Sequence, residues 1–410
     1  MSIDLQRPDV ALIAPYPRPR VPSASGVAWY SQNLARALAD EGASVTVLAP
    51  AEDADRSSEL DGRVRVRRCF SRRPAGLLKA AGAALRSGAP VTHVQHEAFL
   101  FGGPQAVPGF LGCLGMLRGG GAGPVVTMHQ VVSPEKIDRS FTELHRVGIP
   151  APVARAAMST LQGSIGRIAR RTIVHEAAFA GTVRRSVVLP LGLRRGPADA
   201  APEGRTRSEA PPVDFRAANG IGPGDFLVLC FGFVAPYKGL EAALTAAELA
   251  GPPVHLVVAG AEHPRLAGQD YLEGLERRFG AIATFTGYVP EEDVSGWFQA
   301  ADVALLAYPT AFSSSGVLAL AVEHGVPALL SSALGEVVGL PSRAGTSIEP
   351  SLLADRLRAL ASRGTDLAEL ARWTTALSEG RSWPHVAKRH LEIYEEVTNA
   401  QRAASRSHRA

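Results

Sequence analysis

Short runs of apolar residues alternate with longer segments of mixed character along the first half of the chain. Residues 9–14 (DVALIA) form the first run, and Val27, Tyr30, Leu34 and Leu38 then recur at helical spacing on one face. This pattern predicts a buried strand, a loop and a helix. Further apolar runs follow at residues 44–48, 91–95, 125–128 and 171–174.

A second series of apolar runs begins after residue 224. It comprises residues 226–233, 254–259, 283–285, 303–306 and 328–330, again with helical or turn-rich segments between them. Buried strands that alternate with helices are typical of a parallel, doubly wound sheet. The chain is therefore predicted to be an α/β protein with two doubly wound, Rossmann-like parallel-sheet domains.

The two series are separated by residues 195–224, which are rich in proline, alanine, glycine and charge and lack apolar periodicity. A segment of this kind is typical of an interdomain linker. We expect an N-terminal domain at 1–195, a linker at 196–224 and a C-terminal domain at 225–384. Residues 385–410 are expected to form a helix followed by a flexible tail.

Composition and charge narrow the class of protein. The chain has 410 residues, of which 46% are hydrophobic and 20% charged, so it can bury well-packed cores. Its 43 basic and 39 acidic residues leave a net charge of +4, which disfavours nucleic acid as a partner. Cys69, Cys113 and Cys230 are far apart and form no CxxC pair, so neither disulfides nor a zinc site is expected. Because no signal peptide or membrane-length apolar run is present, we expect a soluble, cytoplasmic protein.

Ligands of open parallel sheets bind beyond the carboxyl ends of the strands, so the residues that follow each apolar run are informative. Ser25 and Gly26 follow the first run. Gly26 would let the backbone approach a ligand, and Ser25 would cap the next helix and aim its N–H groups at an anion or a sugar hydroxyl. A flexible loop is the alternative.

Histidines follow two other runs. The run at 91–95 ends in Gln95 and is followed by His96 and Glu97, and the run at 125–128 is followed by His129. These positions suggest hydrogen-bonding groups or a general base tuned near neutrality, although a lone histidine is more often structural. Their spacing does not suggest a metal site.

The loop after residues 226–233 carries Lys238 and Gly239. Only four of the 43 basic residues are lysines, a bias typical of a GC-rich bacterial genome, so a lysine at a strand end is unusual here. An ammonium at the mouth of a sheet is suited to holding a diphosphate, and a solvated surface lysine is the alternative.

A serine-rich segment precedes a later amphipathic helix. Ser313, Ser314, Ser315 and Gly316 open this helix, so hydroxyls, free N–H groups and the positive helix end converge as an anion cradle. A simple N-cap, which needs one serine, is the alternative. Glu336, after the next run, could accept hydrogen bonds from sugar hydroxyls or be incidental.

Six arginines cluster within eleven positions, and the alternation in RVRVRR would place several on one strand face: Arg63, Arg65, Arg67, Arg68, Arg72 and Arg73. We expect an anionic contact at this cluster, either with acceptor or with the lipid headgroups of an anionic membrane. A solvated strand edge guarded against aggregation is an equally good interpretation.

The order and spacing of several motifs resemble the retaining glycosyltransferases of family 4. These motifs are VTHVQHEAFLFGG, VVTMHQVV, VVLPLGL, FGFVAPYKGLEAAL, VVAGAEHP, FTGYVPEEDV, WFQAADVALLAYP, SSSGVLALAVEHGVPAL and SWPHVAKRHLEIYEEV. The resemblance implies the GT-B fold, with an acceptor in the N-terminal domain, a nucleotide sugar in the C-terminal domain, and a cleft between. It also implies a terminal helix that returns to the N-terminal domain, and no cofactor or metal besides the nucleotide-sugar donor.

The resemblance assigns roles to residues that match the family's motifs. Lys238 would clamp the diphosphate, the backbone of Tyr288 and Val289 would hold the base, and His129 and Glu336 would face the reacting sugar. The expected catalytic residues are His129, Lys238 and Glu336, the expected donor site is Gly26, Lys238, Gly239, Tyr288, Val289, Ser313, Ser314, Ser315, Gly316, Val317 and Glu323, and the expected acceptor site is Ser25, Gln95, His96 and Glu97.

Three departures from the family pattern leave a second function open. Phe233 stands where an arginine is usual, Phe312 and Leu320 occupy the positions of the paired glutamates, and Leu191 replaces a histidine. Glu323, one helical turn past Leu320, could reach a ribose. A catalytically silent GT-B protein that binds a nucleotide sugar or partners an active transferase is therefore the alternative, and phosphorylase or epimerase chemistry on this fold is a third.

Overall fold

The computed structural model describes residues 8–18, 26–51, 57–97, 100–102, 104–144, 147–193, 213–263, 266 and 270–407. The chain divides into two compact units. The first comprises Met1–Thr142, Gly148–Gly192 and Ser382–Ala410, and the second comprises Glu143–Val147 and Leu193–Arg381.

The described residues of the first unit form an eight-stranded sheet in the order β3-β4-β2-β1-β5-β6-β7-β8. Its strands are β1 (Val10–Ile13), β2 (Val45–Pro50), β3 (Ser58–Asp61), β4 (Val64–Phe70), β5 (Val91–His96), β6 (Gly123–Met128), β7 (Arg171–Val174) and β8 (Ser186–Val188). Its helices are α1 (Gly26–Asp40), α2 (Pro74–Ser87), α3 (Val107–Gly119), α4 (Arg139–Leu144), α5 (Ala151–Ile168) and α14 (Trp383–Ser407). All neighbouring strands are parallel except β3, which pairs antiparallel with β4.

The described residues of the second unit form a six-stranded parallel sheet in the order β11-β10-β9-β12-β13-β14. Its strands are β9 (Phe226–Phe231), β10 (Val254–Ala259), β11 (Ala283–Gly287), β12 (Val303–Leu306), β13 (Ala328–Ser331) and β14 (Gly345–Thr346). Its helices are α6 (Val213–Ala218), α7 (Leu240–Ala250), α8 (Tyr271–Phe279), α9 (Glu291–Ala300), α10 (Gly316–Glu323), α11 (Ser332–Val337), α12 (Pro350–Ala361) and α13 (Thr365–Ala376). The predicted fold class, two Rossmann-like parallel sheets, is confirmed.

The direction of the crossovers sets the layers of the first unit. Connections between parallel strands are right-handed, so the direction of a connection across the sheet decides the face on which its helix lies. Helix α1 connects β1 to β2 in one direction, and α2, α3 and α5 belong to connections in the opposite direction. Helix α1 therefore lies on the face opposite these three helices. Buried side chains of α1 and α14 form one core with the sheet, among them Leu34, Leu38 and Val386. The sheet is therefore covered by α1 and α14 on one face and by α2, α3 and α5 on the other.

The terminal helix belongs to the first unit. Ile393, Tyr394 and Val397 of α14 pack in its core, and Trp383 lies so close to Gly192 that a Cβ there would be 2.5 Å from the indole. Helix α14 continues to Ser407, into the segment expected to be a flexible tail. In the described part of the chain, none of the helices is long and apolar enough to cross a membrane.

The second half of the predicted linker is structured. Residues 213–218 form α6, and the Phe215 ring packs edge to face on Trp297 with 5.1 Å between centroids. A Cβ at Gly296 would be 2.6 Å from the Phe215 ring, so this aromatic contact ties α6 to α9. Residues 196–212 of the predicted linker lie outside the described residues.

The arginine cluster on β4 is divided between the two faces of the strand. Val64, Val66 and Arg68 alternate on the buried side, whereas Arg65 and Arg67 are half-buried on the other. The Arg68 guanidinium bonds Glu59 at 2.8 Å and the backbone oxygens of the loop after β1. The expectation that Arg68 contributes to an anionic contact was therefore wrong, because its guanidinium is buried and paired with Glu59 inside the unit.

Candidate functional site

Three residues of the second unit form a connected polar chain at the carboxyl end of its sheet. The loop after β9 ends in a single helical turn, Pro236–Lys238, and the Lys238 Nζ donates to the Tyr308 hydroxyl at 2.8 Å. The Tyr308 hydroxyl lies 3.2 Å from Ser315 Oγ. Since Tyr308 follows β12 and Ser315 precedes α10, the contacts bring three separate segments together.

Gly239 fixes Lys238 against the neighbouring strand end. Its φ of +68° lies in the left-handed region, and a Cβ there would be 1.9 Å from the carbonyl oxygen of Ala307. Only glycine fits such an approach of two backbones. Glycine at position 239 is therefore required by the packing of this loop.

Ser315 serves as the N-cap of α10. Its Oγ accepts from the Leu318 N–H at 3.3 Å, so this hydroxyl is committed to the helix and to Tyr308. Ser313 and Ser314 are half-buried, and Gly316 is exposed at the first position of the helix. Val317 packs beside the loop after β9, because a Cβ at Gly232 would be 3.4 Å from Val317 and 3.6 Å from Lys238 Nζ.

In the part of the chain that the structure describes, the ammonium of Lys238 has no acidic partner. Burial lowers the pKa of Lys238, and the nearby Tyr308 and Tyr237 outweigh this effect, so that its pKa is raised and the side chain is charged at neutral pH. Among the described residues, no carboxylate lies within ion-pairing distance of its Nζ. The small pocket around it is lined by Cys230, Phe231, Gly232, Phe233, Lys238, Leu240, Val258, Leu305 and Tyr308. A half-buried cation without a counter-ion is suited to an anionic ligand.

Further residues of the expected donor site lie on or beside other elements of the second unit. Tyr288 and Val289 directly follow β11, and Tyr288 is 61% exposed. Glu323 ends α10, about 10 Å along the axis from Gly316. Glu336 is exposed on α11, a short helix that Ser331 caps. The Phe233 ring packs edge to face on His263 with 5.1 Å between centroids.

A chain of buried hydrogen bonds crosses the carboxyl end of the first unit's sheet. His129 Nε2 lies 2.7 Å from Gln95 Oε1, and His129 Nδ1 lies 3.1 Å from His175 Nε2. His175 Nδ1 then bonds the carbonyl oxygen of Leu189 at 2.9 Å. Tyr30 packs edge-on against both rings. Both ring nitrogens of His129 are therefore engaged, and the residue is 8% exposed.

The number of protons available to this series of hydrogen bonds determines its chemistry. Gln95 Oε1 and the Leu189 carbonyl oxygen only accept hydrogen bonds, so filling all three contacts needs one more proton than two neutral imidazoles carry. Burial, followed by the neighbouring histidines, holds the pKa of His129 well below its usual range, which keeps its ring neutral at pH 7. With both rings neutral, no proton remains for the contact between His129 Nδ1 and His175 Nε2. A proton added there would be shared in a hydrogen bond between the two rings.

The same network reaches the terminal helix. Gln95 Nε2 lies 3.4 Å from His93 Nε2, and His93 Nδ1 lies 2.7 Å from the Tyr394 hydroxyl of α14. His175 and His93 were missed in the sequence. His175 had a usable signal, since it directly follows the apolar strand β7.

The polar side chains at this edge of the sheet differ in burial and therefore in the contacts they make. Gln95 is fully buried, so its side chain holds His129. Glu97 is half-buried and accepts a hydrogen bond from Gln130 Nε2 at 3.0 Å. His96 packs against Phe110, and burial lowers its pKa to about 4. Glu97 and Gln130 are the pair best placed to meet a ligand.

The glycine loop after β1 is described only in part. Ser25 lies outside the described residues, and Gly26 is the exposed first residue of α1. A Cβ at Gly26 would meet no atom of the described residues within 4 Å. Within the described ranges, no group of three or more His, Cys, Asp or Glu side chains is arranged to hold a metal ion.

The two Rossmann-like sheets give the chain the GT-B fold of glycosyltransferases. Sucrose-phosphate synthase from Thermosynechococcus elongatus is similar with a TM-score of 0.69 at 18% identity, over 95% of this chain and 99% of that one. HepE from Anabaena in complex with UDP-glucose is similar with a TM-score of 0.65 at 16% identity, over 94% of this chain and 99% of that one.

One relative is similar at the level of sequence. D-inositol 3-phosphate glycosyltransferase from Rhodococcus erythropolis is 32% identical over an alignment of 197 positions, which covers 44% of this chain and 43% of that protein. The chain thus matches less than half the length of this relative. No protein-family model matches the sequence.

Proposed function

We propose that the protein is a retaining glycosyltransferase of family 4 that moves a sugar from a nucleoside diphosphate to a hydroxyl acceptor. The observation that carries the proposal is the contact chain from Lys238 through Tyr308 to the N-cap of α10. It joins a cation without a described acidic partner to a helix N-terminus, the two features that best stabilise a diphosphate. The similarity to an inositol phosphate glycosyltransferase and to a protein solved with UDP-glucose supports a nucleotide-sugar donor.

In the proposed reaction, the bond between the anomeric carbon and the diphosphate oxygen breaks and its electron pair leaves with the diphosphate. The acceptor oxygen forms the new bond on the same face of the sugar, and its proton passes to a diphosphate oxygen. The Lys238 ammonium and the first N–H groups of α10 neutralise the charge that grows on the leaving group. This chemistry needs no nucleophile from the protein and no metal.

The two units have different roles in the proposal. The second unit holds the donor through Lys238, the backbone at Gly239 and 288–289, and residues 313–317. Glu323 and Glu336 are assigned to the ribose and the sugar. The first unit holds the acceptor through Ser25, His96 and Glu97, while Gln95 and His175 hold His129 for its contact with the sugar. The acceptor class is a glycan, a glycolipid or a small natural product.

A catalytically silent nucleotide-sugar protein is the second candidate, because an aromatic residue, Phe233, occupies the loop beside Lys238.

To separate the two candidates, the chain is incubated with UDP-, GDP- and ADP-glucose, and released nucleoside diphosphate is measured by chromatography. The proposal expects slow release without acceptor and a product with the donor's anomeric configuration by ¹H NMR. Nucleotide binding with no release under any condition would support the silent candidate instead.

A further inference from the structure

One face of the first unit carries an unusual distribution of charge. The helices α2, α3 and α5 contain no Asp or Glu, and they carry five basic residues: Lys79, Arg86, Arg118, Arg155 and Arg167. Between Asp61 and Glu135 the sequence has one acidic residue, Glu97. The three helices cover the same side of the sheet, so this bias falls on a single surface.

The three helices lie side by side. Leu78 of α2 contacts α3, since a Cβ at Gly112 would be 3.1 Å from its side chain, and α3 packs in turn on α5. We call their outward side the α2–α3–α5 face. Because neighbouring helices of one layer present their outer sides in the same direction, the basic residues share one broad surface.

Exposed apolar side chains are interspersed with these cations. Leu78 is 39% exposed, Met116 is 41% exposed and Val153 is 53% exposed. Lys79 and Arg86 are exposed beside them on α2, and within the described ranges neither forms an ion pair with a carboxylate. The α2–α3–α5 face therefore combines unpaired positive charge with aliphatic and thioether groups.

The remaining arginines of the β4 segment extend the same surface. Val64 and Val66 pack in the core with α1, so Arg65 and Arg67 project to the side that α2 covers. Arg72 and Arg73, which directly precede α2, are exposed. Arg65 and Arg67 are half-buried there, so it is Arg72 and Arg73 that enlarge the exposed basic surface.

The opposite face shows that this bias is local. Helix α14 carries both signs of charge, and its basic and acidic residues form ion pairs, such as Lys388 with Glu41 at 3.8 Å and Arg171 of β7 with Glu396 at 3.3 Å. The helices of the α2–α3–α5 face thus carry five basic residues and no acidic one, whereas α14 carries residues of both signs.

We propose that the α2–α3–α5 face binds the surface of a membrane that contains anionic lipid. Lysine and arginine near such a surface are attracted by the lipid headgroups, and neighbouring aliphatic side chains bury in the interface. A second copy of this chain would bring like charges together, which opposes association. A nucleic acid would use the cations alone and leave Leu78, Met116 and Val153 without a role.

The test is cosedimentation of the full chain with vesicles of phosphatidylcholine alone or mixed with phosphatidylglycerol, at low and physiological salt. The wild type is expected to bind only the anionic vesicles. The double variant Lys79→Glu and Arg86→Glu should lower the affinity on the order of 25-fold, because each basic residue contributes about fivefold. The control Arg402→Glu and Arg406→Glu makes the same charge change at exposed positions of α14 and should bind like the wild type.

A second variant separates apolar insertion from charge. Leu78→Ser with Met116→Ser keeps every cation and should weaken binding and make it more sensitive to salt. Thermal unfolding confirms that each variant is folded. Failure of the wild type to bind anionic vesicles at low salt overturns the proposal, as does equal loss of binding in the α14 control. Binding of duplex DNA as tight as that of anionic vesicles would also overturn it.

Discussion

The Lys238 ammonium donates a hydrogen bond to the Tyr308 hydroxyl at 2.8 Å, although 70 residues separate them in the chain. Lys238 follows β9 and Tyr308 follows β12, and these two strands are neighbours in the second sheet. The sheet topology therefore brings the two residues together at one edge. The Lys238 charge also lies 4.7 Å from the centre of the Tyr308 ring, so the tyrosine holds the ammonium by two kinds of contact.

Tyr308→Phe removes the hydroxyl and its contacts with Lys238 and Ser315, while the ring remains beside Lys238. We expect nucleoside diphosphate affinity to fall by about 1 kcal/mol, the net value of one hydrogen bond. Isothermal titration calorimetry measures this change. Tyr237→Phe is the matched control, since the Lys238 Nζ lies 6.0 Å from that ring and donates its described hydrogen bond to Tyr308. Equal losses in both variants would mean that the Tyr308 hydroxyl has no special part in the site.

Gly239→Ala tests the close approach of two backbones. Its Cβ would be 1.9 Å from the Ala307 oxygen, so the loop must move and the variant should be destabilised by more than about 2 kcal/mol. Gly325→Ala is the control, because Gly325 lies just past the end of α10 with a similar φ of +65° and no atom of the described residues within 4 Å of the new Cβ. That variant should lose only about 1 kcal/mol. Urea unfolding of both variants checks the difference, and similar losses would contradict the packing argument.

Gln95→Leu tests whether Gln95 holds His129. The buried His129 Nε2 would lose its partner, so stability should fall by about 1–3 kcal/mol and sugar transfer should slow. Gln162→Leu is the control, since Gln162 is buried in the same unit and bonds the backbone of Val132. Both variants should lose stability, but only Gln95→Leu should shift the ring ¹⁵N signals of His129. An unchanged His129 spectrum would remove Gln95 from a positioning role.

His390 predicts a dependence of stability on pH. Burial lowers the pKa of His390 to about 4, so between pH 4 and about 6.5 the unfolded chain binds a proton that the folded chain does not. Stability should therefore fall as pH drops through this window, by about 2 kcal/mol at pH 5 from this residue. His390→Leu should remove that part of the loss, measured by urea unfolding at pH 7 and pH 5. His385→Gln, which changes an exposed histidine of α14, is the comparison, and the same benefit there would contradict the assignment to His390.

Continuous apolar runs made the central strands predictable. The predicted runs at 171–174, 254–259 and 303–306 coincide with β7, β10 and β12, because strands of a parallel sheet are buried on both faces. The edge strands β3 and β14 were missed, since β3 is half exposed and β14 has only two residues. Short or polar strands at an edge depend on a neighbour that local sequence does not show.

The candidate site was predictable where one residue carried the signal. Lys238 is conspicuous in an arginine-rich chain, and its loop position follows from the strand before it. Its partner Tyr308 depends on which strands are neighbours, which a linear pattern does not reveal. The burial of Arg68 was open to prediction, because it shares the alternation of Val64 and Val66, but its acceptors on the loop after β1 come only from the fold.

Calorimetric titration of UDP, ADP and GDP into the wild type and Lys238→Ala tests the proposed donor site most directly. At least one nucleotide should bind the wild type, and Lys238→Ala should weaken it by about 1.5–3 kcal/mol, the value of a hydrogen bond to a charged group. Lys388→Ala, on a helix of the first unit, should bind like the wild type. If no nucleoside diphosphate binds, or if Lys238→Ala binds it unchanged, the assignment of this pocket to a nucleotide sugar is wrong.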